Sequence, residues 1–262
     1  MYAPGLLRGQ VAFVTGGATG ICRGIALGLG EAGARVFIVS RKEANLQAAV
    51  ADFRARGVDA HHTVMDVRDP AAVEAAVAQC VRVVGAPSVV VNGAAGNFLA
   101  PAAALSPNGF KTVVDIDLNG TFNVCRAVFE SLGQTRGNIL NVTATLHYAA
   151  SPLMGHAAAA KAGVDALTRT LAAEWGPFGI RVNSLAPGPI EGTEGMGRLL
   201  PESARARLLE HIPLRRMGTV EDCARAAVFL CSPLASYVNG ATLVVDGGAW
   251  LTGRMSPEEL AE

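Results

Sequence analysis

Short runs of apolar residues alternate along the chain with longer stretches in which apolar side chains recur at every third or fourth position. A continuous apolar run is typical of a parallel strand buried on both faces, and the wider spacing is typical of a helix packed on one face. The predicted strands lie at residues 11–15, 36–39, 60–65, 89–91, 139–142, 182–185 and 242–245. The predicted helices lie at residues 21–32, 43–56, 70–83, 110–132, 158–175 and 220–230.

This alternation, with short connections, predicts an α/β fold in which a doubly wound parallel sheet is covered by helices on both faces. Residues 1–262 are expected to form one domain. The long irregular stretch that begins at Pro187 is rich in glycine and proline and follows the carboxyl end of a strand. Ligands bind at such ends, so we expect a substrate lid over about residues 187–212. Its apolar side chains would cover an acyl chain or would only form a buried helix face; they are Met196, Leu199, Leu200, Leu208 and Leu209.

Composition narrows the class of protein. The formal net charge is +0, so the chain lacks the basic footprint of a nucleic-acid or membrane-surface binder. No apolar run approaches the ~20 residues of a membrane span. The five cysteines are scattered, the first residues show no signal-peptide pattern, and the last residues are not a peroxisomal address. We therefore expect a cytoplasmic protein without a metal site and without a nucleic-acid or membrane partner.

A glycine-rich turn, residues 15–22, joins the first predicted strand to the first predicted helix. Glycines permit a tight turn and let backbone N–H groups approach a pyrophosphate at the helix N-terminus. Gly16, Thr19, Gly20 and Ile21 are therefore predicted to contact a nucleotide. Cys22 stands where a further glycine usually allows close packing, and a redox role for it is not expected.

The end of the second strand indicates which nucleotide binds. A site for NAD places a carboxylate there to bind the ribose hydroxyls. This chain has Ser40 and Arg41, whose hydroxyl and guanidinium suit a 2′-phosphate. The alternative is a basic helix start exposed to solvent, but cations are slightly unfavourable at that end of a helix. We predict that the cofactor is NADPH.

Further cofactor contacts are expected where other strands end. Asp66 would contact the adenine or only cap the next helix. Small residues after the fourth strand would lie beside the cofactor, and a Pro-Gly turn after the sixth would lie against the nicotinamide amide. The complete set at these ends is Asp66, Val67, Asn92, Ala94, Ala95, Pro187, Gly188 and Ile190.

These motifs together resemble the short-chain dehydrogenase/reductase family over nearly the whole chain. The resemblance is carried by the glycine turn, residues 92–96, Asn119, Lys161, Pro187-Gly188 and residues 246–248. It implies a Rossmann fold, a nicotinamide cofactor held partly by Lys161, and a homotetramer. The family's catalytic set is Asn, Ser, Tyr and Lys. Asn119 and Lys161 match it, whereas Ala144 and Ala157 stand at the serine and tyrosine positions.

One branch of the family also lacks the catalytic tyrosine. Several segments are similar to 2,4-dienoyl-CoA reductases, above all those of peroxisomal type, which also lack the Tyr-x-x-x-Lys pair. The similar segments are residues 96–99, 110–113, 115–117, 120–123, 183–190, 192–195, 232–238 and 246–252. The resemblance implies an acyl-CoA thioester substrate and reduction of a 2,4-dienoyl-CoA to a 3-enoyl-CoA with NADPH.

The chemistry of the two reactions favours this interpretation. A ketone reductase must protonate a basic alkoxide, so it needs an acid at the oxygen. Conjugate reduction creates an extended enolate, which needs hydrogen-bond donors, and the proton goes later to carbon. The loss of Ser and Tyr damages the first reaction and is compatible with the second.

Four residues are the catalytic candidates. Lys161 would hold the nicotinamide ribose and set the local field, and Asn119 would hold the enolate. Asp117 matches the branch's inner acidic residue and would hold a proton-donating water. Asp165 lies one helical turn after Lys161, so its carboxylate is expected to face Lys161, either to manage the proton or as an ordinary intrahelical ion pair. On an ideal helix Asp117 would not share a face with Asn119, whereas Asp115 would, so the role of Asp117 requires a local kink.

Alternatives remain open from the sequence. His147 or Tyr148 would donate to the thioester oxygen, or would only pack within a loop, and His156 is expected to be structural. The hydroxyls of Thr143 and Thr145 flank Ala144. A 3-oxoacyl or enoyl thioester reductase with Tyr148 as its acid is one other function, and a non-catalytic NADPH-binding protein is another. Arg198, Arg205 and Arg207 are guesses for the CoA phosphates.

Overall fold

A parallel sheet forms the centre of the fold. The computed structural model describes residues 5–148 and 150–252. Its strands are β1 (Val11–Thr15), β2 (Arg35–Ser40), β3 (Ala60–Val64), β4 (Val89–Asn92), β5 (Asn138–Val142), β6 (Arg181–Pro187) and β7 (Thr242–Val245). They pair in the order β3-β2-β1-β4-β5-β6-β7, and every pair is parallel. The predicted doubly wound α/β fold is confirmed.

Helices cover both faces of this sheet. They are α1 (Gly20–Glu31), α2 (Glu43–Ala55), α3 (Pro70–Val83), α4 (Pro107–Val114), α5 (Gly120–Thr135), α6 (Gly155–Trp175), α7 (Glu194–Leu199), α8 (Arg205–His211) and α9 (Val220–Cys231). Neighbouring strand residues serve opposite faces: Val14 packs with α1, α2 and α9, whereas Phe13 packs with α3, α5 and α6. Among the described helices, none is long and apolar enough to cross a membrane.

The predicted helix at residues 110–132 is interrupted. Helix α4 ends at Val114, a π-helical turn spans Asp115–Asn119, and α5 begins at Gly120. A π turn inserts one residue into a helix and shifts the faces that follow it. This turn is the local kink that a role for Asp117 requires.

The predicted lid is more regular than its glycine and proline content suggests. Thr193 caps α7 by accepting a hydrogen bond from the Met196 N–H. Helix α8 follows after one 3₁₀ turn. The stretch predicted as irregular from Pro187 to about Leu200 therefore holds a short capped helix, because a single side-chain cap offsets weak helix propensity.

Candidate active site

The glycine turn lies beside the crevice between β1 and β4, where the strand order reverses and nucleotides bind in such sheets. Gly16 has φ +67°, and a Cβ there would lie 2.8 Å from the Gly93 carbonyl oxygen. Gly20 has φ +55°, and a Cβ there would meet no atom within 4 Å. The turn thus keeps open space at the N-terminus of α1, which suits the pyrophosphate of a dinucleotide.

At the N-terminus of α1, the backbone N–H groups donate no hydrogen bond to a capping side chain among the described residues. Thr19 occupies the N-cap position of α1, and its side chain caps none of the N–H groups there. Ile21 lies in the first turn, partly buried. Cys22 is buried against Gly93, and burial raises the pKa of its thiol to about 12. A thiol with such a pKa stays protonated, so Cys22 packs the helix rather than reacting.

Two arginines, Arg41 and Arg68, lie near the end of the second strand. Ser40 closes β2, and the exposed Arg41 follows it. Asp66 forms a forked ion pair with Arg68, with Nη2–Oδ2 at 2.6 Å. The bond to Arg68, with a smaller effect from Arg41, lowers the pKa of Asp66. Arg41 and Arg68 therefore flank one carboxylate.

Asp66 does not cap the next helix, because Asp69 holds that position and accepts from the Ala71 and Ala72 N–H groups. Of the two roles expected for Asp66, contact with the adenine stays a prediction. The carbonyl of Val67 accepts from Asn123 Nδ2 at 2.9 Å, which fixes the segment after β3.

The loop after β4 is tied to β1. The Thr15 hydroxyl accepts hydrogen bonds from the N–H groups of Gly93 and Ala94 at 2.9 and 3.1 Å. Asn92 donates to Asn141 within the sheet, while its Oδ1 is buried without a partner among the described residues. Ala95 follows in the same loop. Small side chains here leave space over the sheet edge.

The turn after β6 is held close to β7. The Gly188 N–H donates to the Val245 carbonyl at 2.9 Å, and a Cβ on Gly188 would lie 2.4 Å from that of Asp246. Pro187 ends β6, and Ile190 is buried and forms a bridge to Gly218. Apart from Lys161 on α6, the predicted cofactor residues thus lie at or shortly after the carboxyl ends of strands.

A buried ion pair forms the centre of the site. Lys161 Nζ lies 3.3 Å from Asp117 Oδ2 and donates to the Val142 carbonyl at 3.0 Å. Asp117 Oδ1 accepts from the Gly96 N–H at 2.7 Å. Both side chains are largely buried, with exposed fractions of 9% for Lys161 and 2% for Asp117. Charges this buried are held only when paired and hydrogen-bonded, and both conditions are met here.

The two positions that lack their usual hydroxyls lie around this pair. Ala157 is on the first turn of α6, four residues before Lys161, and is buried. Ala144 directly follows Thr143, whose hydroxyl is 3.4 Å from the Leu185 carbonyl, at the long end of a hydrogen bond. Thr145 is buried in the 3₁₀ turn that follows. The site therefore combines a buried Lys-carboxylate pair with alanine at positions 144 and 157.

Asn119 does not join the pair. Its side chain is exposed, and its Nδ2 donates to Asp115 Oδ1 at 2.9 Å. Asp115 in turn pairs with Lys111 on the outer face. The π turn directs Asp117 inward and leaves Asp115 and Asn119 together outside. The geometry thus does not support Asn119 as an enolate donor, and it corrects the expectation taken from the family motif.

Asp165 belongs to a second cluster. Its Oδ2 lies 2.8 Å from His147 Nε2 and 3.4 Å from the Tyr148 hydroxyl, rather than facing Lys161 as expected. Tyr148 also packs edge-on against Trp250. Burial, aided by the charge of Asp165, raises the pKa of Tyr148 to about 12. These contacts occupy the loop after β5 and leave Tyr148 without the neighbouring lysine that would activate it.

The arginines expected to bind the CoA phosphates lie in or next to the segment of residues 187–212. Arg205 forms an ion pair with Glu191, and the side chain of Arg198, like that of Leu199, lies outside the described residues. Arg205, Arg215, Arg216 and Arg225 line a surface cavity of about 470 Å³ together with Glu191 and Asp222.

The family model described as enoyl-(acyl carrier protein) reductase matches residues 16–249. A peroxisomal 2,4-dienoyl-CoA reductase, (3E)-enoyl-CoA-producing, from Pongo abelii is 49% identical, covering 96% of this chain and 87% of the relative. The protein of the same description from Arabidopsis thaliana is 45% identical, covering 96% and 88%.

Solved structures agree with the fold. A short chain dehydrogenase from Bacillus anthracis superposes with a TM-score of 0.85 at 39% identity, covering 95% of this chain and 98% of that one. A gluconate 5-dehydrogenase from Burkholderia cenocepacia, in complex with NADP and tartrate, superposes with a TM-score of 0.88 at 37% identity, covering 93% and 96%.

Proposed function

The chain belongs to the short-chain dehydrogenase/reductase family, and on that premise we propose that it reduces 2,4-dienoyl-CoA to 3-enoyl-CoA with NADPH. The observation that carries the proposal is the buried pair of Asp117 and Lys161, with alanine at both positions that would donate to a ketone oxygen. The site can hold a proton beside the cofactor crevice, and neither Ala144 nor Ala157 supplies a hydroxyl acid for making an alcohol.

The glycine turn fits a dinucleotide, since a Cβ on Gly16 would fill the approach to the Gly93 carbonyl. When bound, NADPH supplies the hydride, which goes to C5 of the dienoyl chain. The residues that would hold it lie along the strand ends, with Arg41 at the 2′-phosphate and Lys161 at the nicotinamide ribose. The structural neighbour with NADP supports a nicotinamide cofactor of this type.

Asp117 handles the proton in this proposal. Its Oδ1 is fixed by the Gly96 N–H, so Oδ2, next to Lys161 Nζ, is the atom that holds a proton-donating water for the α carbon. Protonation there gives the 3-enoyl product. Asp165 is set aside because His147 occupies its Oδ2. The positive charge of Lys161 also stabilises the negative charge that develops on the thioester enolate.

We expect NADPH to bind more tightly than NADH because Arg41 follows β2 where an NAD site has a carboxylate. Substituting Arg41→Asp should remove a charge-assisted contact worth ~1.5–3 kcal/mol, or about 10- to 150-fold in affinity. Fluorescence titration with both cofactors measures this. Arg82→Asp, the same charge change on the exposed end of α3, is the control. Equal affinity of the native protein for both cofactors would contradict the assignment.

The acyl chain is proposed to lie beneath residues 187–212. Met196, Leu200, Leu208 and Leu209 are partly buried there, so the segment offers apolar surface close to the end of β6. The CoA phosphates would meet arginines of the same region, with Arg205 and Arg207 as candidates.

We expect a homotetramer, with residues 236–253 contributing to an interface; Gly253 lies outside the described residues. Strand β7 is at the sheet edge, with Leu243 and Trp250 exposed, Val244 partly exposed and Val238 packed on the core. Light scattering at micromolar concentration should give four times the monomer mass of 27.0 kDa. Leu243→Glu should lower that mass, because a charge in an apolar interface core is unfavourable. A native monomer throughout that range would rule out the interface.

The prediction of a cytoplasmic location is wrong. The relatives from Pongo abelii and Arabidopsis thaliana, at 49% and 45% identity, are named as peroxisomal enzymes. They support a peroxisomal location instead. Net charge and scattered cysteines, part of the basis for that expectation, describe a reduced protein of balanced charge and carry no address.

Two alternative functions can be distinguished from dienoyl-CoA reduction by experiment. A 3-oxoacyl reductase would need Tyr148 as its acid, and a non-catalytic protein would bind NADPH without oxidising it. Absorbance at the NADPH band, recorded with a dienoyl-CoA and separately with a 3-oxoacyl-CoA, distinguishes all three. Oxidation with the dienoyl-CoA alone supports the proposed function.

A further inference from the structure

Two buried carboxylates are close enough to compete for Lys161, but only one of them pairs with it. Asp117 binds the lysine, whereas Asp165, one turn further along α6, is directed to His147. Lys161 and Asp165 are 7% and 3% exposed. Opposite charges four residues apart on a helix are neighbours that attract each other, and burial strengthens the attraction. Asp165 therefore stays apart from Lys161 only because other contacts hold it.

His147 makes the shorter of the two contacts that hold Asp165. Its Nε2 lies 2.8 Å from Asp165 Oδ2, and since an ionised carboxylate only accepts, Nε2 carries the proton and donates it. The Tyr148 hydroxyl donates to the same oxygen from 3.4 Å, at the long end of a hydrogen bond. Asp165 Oδ1 is buried and has no hydrogen-bond partner among the described residues. That oxygen is available to a cation as soon as the carboxylate is released.

Packing fixes the imidazole of His147 in the orientation that this contact needs. The residue ends the 3₁₀ turn Thr145–His147, which follows β5 and contacts α6. Its side chain is 17% exposed, and its ring lies edge-on to that of Tyr148 with centroids 4.5 Å apart. The ring is thus held by a neighbouring aromatic side chain as well as by Asp165, and the carboxylate is kept in one orientation.

A bond between Lys161 and Asp165 would use a donor that the cofactor needs. An ammonium group has three donors. One is directed to the Val142 carbonyl, and a second faces the Asp117 carboxylate. The third is the one that would hold the nicotinamide ribose. A released Asp165 would occupy this donor and offset the positive charge that stabilises the enolate, so cofactor binding and reaction would both suffer.

We propose that His147 is a positioning residue that keeps Asp165 away from Lys161, a role that rests on the proposed function of Lys161 at the nicotinamide ribose. His147 transfers no proton and touches no substrate in this role. The damage from removing it therefore comes from the carboxylate that it releases. Removing that carboxylate as well should undo the damage, which a purely structural role of the imidazole would not allow.

The test measures the NADPH dissociation constant by fluorescence titration in the absence of dienoyl-CoA. For His147→Ala we expect an increase of about 10- to 150-fold, the range for losing one hydrogen bond to a charged group. His147→Gln keeps an N–H that can donate to Asp165, and the double variant His147→Ala with Asp165→Asn has no carboxylate to release. Both should stay within about threefold of native. Tyr148→Phe, which removes only the longer contact to the same carboxylate, is the matched control and should also stay within about threefold.

A folded His147→Ala protein with native affinity for NADPH would overturn the inference, and so would a double variant that binds as weakly as His147→Ala. Leaving a buried charge unpaired destabilises a protein, so the melting temperature of each variant is recorded. If His147→Ala does not fold, the double variant decides, because it leaves no unpaired carboxylate. A native protein that binds NADPH but does not reduce dienoyl-CoA would contradict the proposed reaction and leave the role of His147 standing.

Discussion

Replacing Lys161 by alanine should lower kcat/KM for dienoyl-CoA reduction by at least ~10²–10³-fold, the cost of losing one preorganised electrostatic contact to a developing charge. The substitution removes the cation 3.3 Å from Asp117 and the donor to the Val142 carbonyl. It also removes the group expected to hold the nicotinamide ribose, so the loss should include weaker NADPH binding. Steady-state kinetics with both substrates varied gives the two effects separately.

A loss of folding must be distinguished from a loss of catalysis. Removing one partner of a buried ion pair typically destabilises a protein by about 3–5 kcal/mol, because the other charge stays buried without compensation. Lys161→Met combined with Asp117→Asn removes both charges and should recover most of that stability, but not the activity. Lys111→Ala is the matched control, since Lys111 pairs with Asp115 on the exposed face. A stable Lys161→Ala protein with near-native kcat/KM would show that the pair is not catalytic.

The sheet could be predicted from the sequence because its signal is local. Each central strand is buried on both faces, so its residues are apolar in an unbroken run, as in Val89–Asn92 and Val11–Thr15. Strand β7 was also found, although its outer face is open, because Thr242, Val244 and Val245 are β-branched. Parallel strands joined by helices then limit the topology to a few arrangements.

The π turn could not be predicted in the same way, although the burial pattern explains it. Val113 and Leu132 are both buried and nineteen positions apart. At about 100° for each residue, an ideal helix would leave them roughly 100° out of line. One extra residue in the turn brings them back to five full turns. Asp117 is then directed inward, a result of helix packing over many residues and not of the local sequence.

The partners of polar side chains were the least predictable part of the site. Asp165 and Lys161 are one turn apart on α6, yet Asp165 binds His147, which comes from the loop after β5. Asn119 matched a family motif by type, but its side chain lies outside. For Asp165 the deciding contact joins segments whose approach depends on the whole fold, whereas Asn119 is turned outward by the π turn and binds Asp115 four residues earlier. His156 was expected to be structural, and its complete burial against Phe98 likewise depends on a segment distant in sequence.

The second large effect concerns the choice of substrate. We expect reduction of a 3-oxoacyl-CoA to be at least ~10³-fold slower than reduction of a dienoyl-CoA of the same chain length, because two oxygen donors worth ~10²–10³ each are alanine here. Ala157 and Ala144 are the positions concerned, and Thr143 is directed to the Leu185 carbonyl rather than left free. Parallel NADPH oxidation assays with the two thioesters measure the ratio.

Tyr148 is the residue that could reverse this result, and its geometry argues against it. An alcohol-forming reductase needs a hydroxyl acid beside a cation, but the Tyr148 hydroxyl is directed to the Asp165 carboxylate, and burial holds its pKa at about 12. Tyr148→Phe should therefore leave dienoyl-CoA reduction within about threefold of native, since it removes only a weak hydrogen bond of ~0.5–1.5 kcal/mol. If instead the native protein reduces 3-oxoacyl-CoA readily and Tyr148→Phe abolishes that activity, Tyr148 is the acid. The pair of Asp117 and Lys161 would then serve only to bind the cofactor.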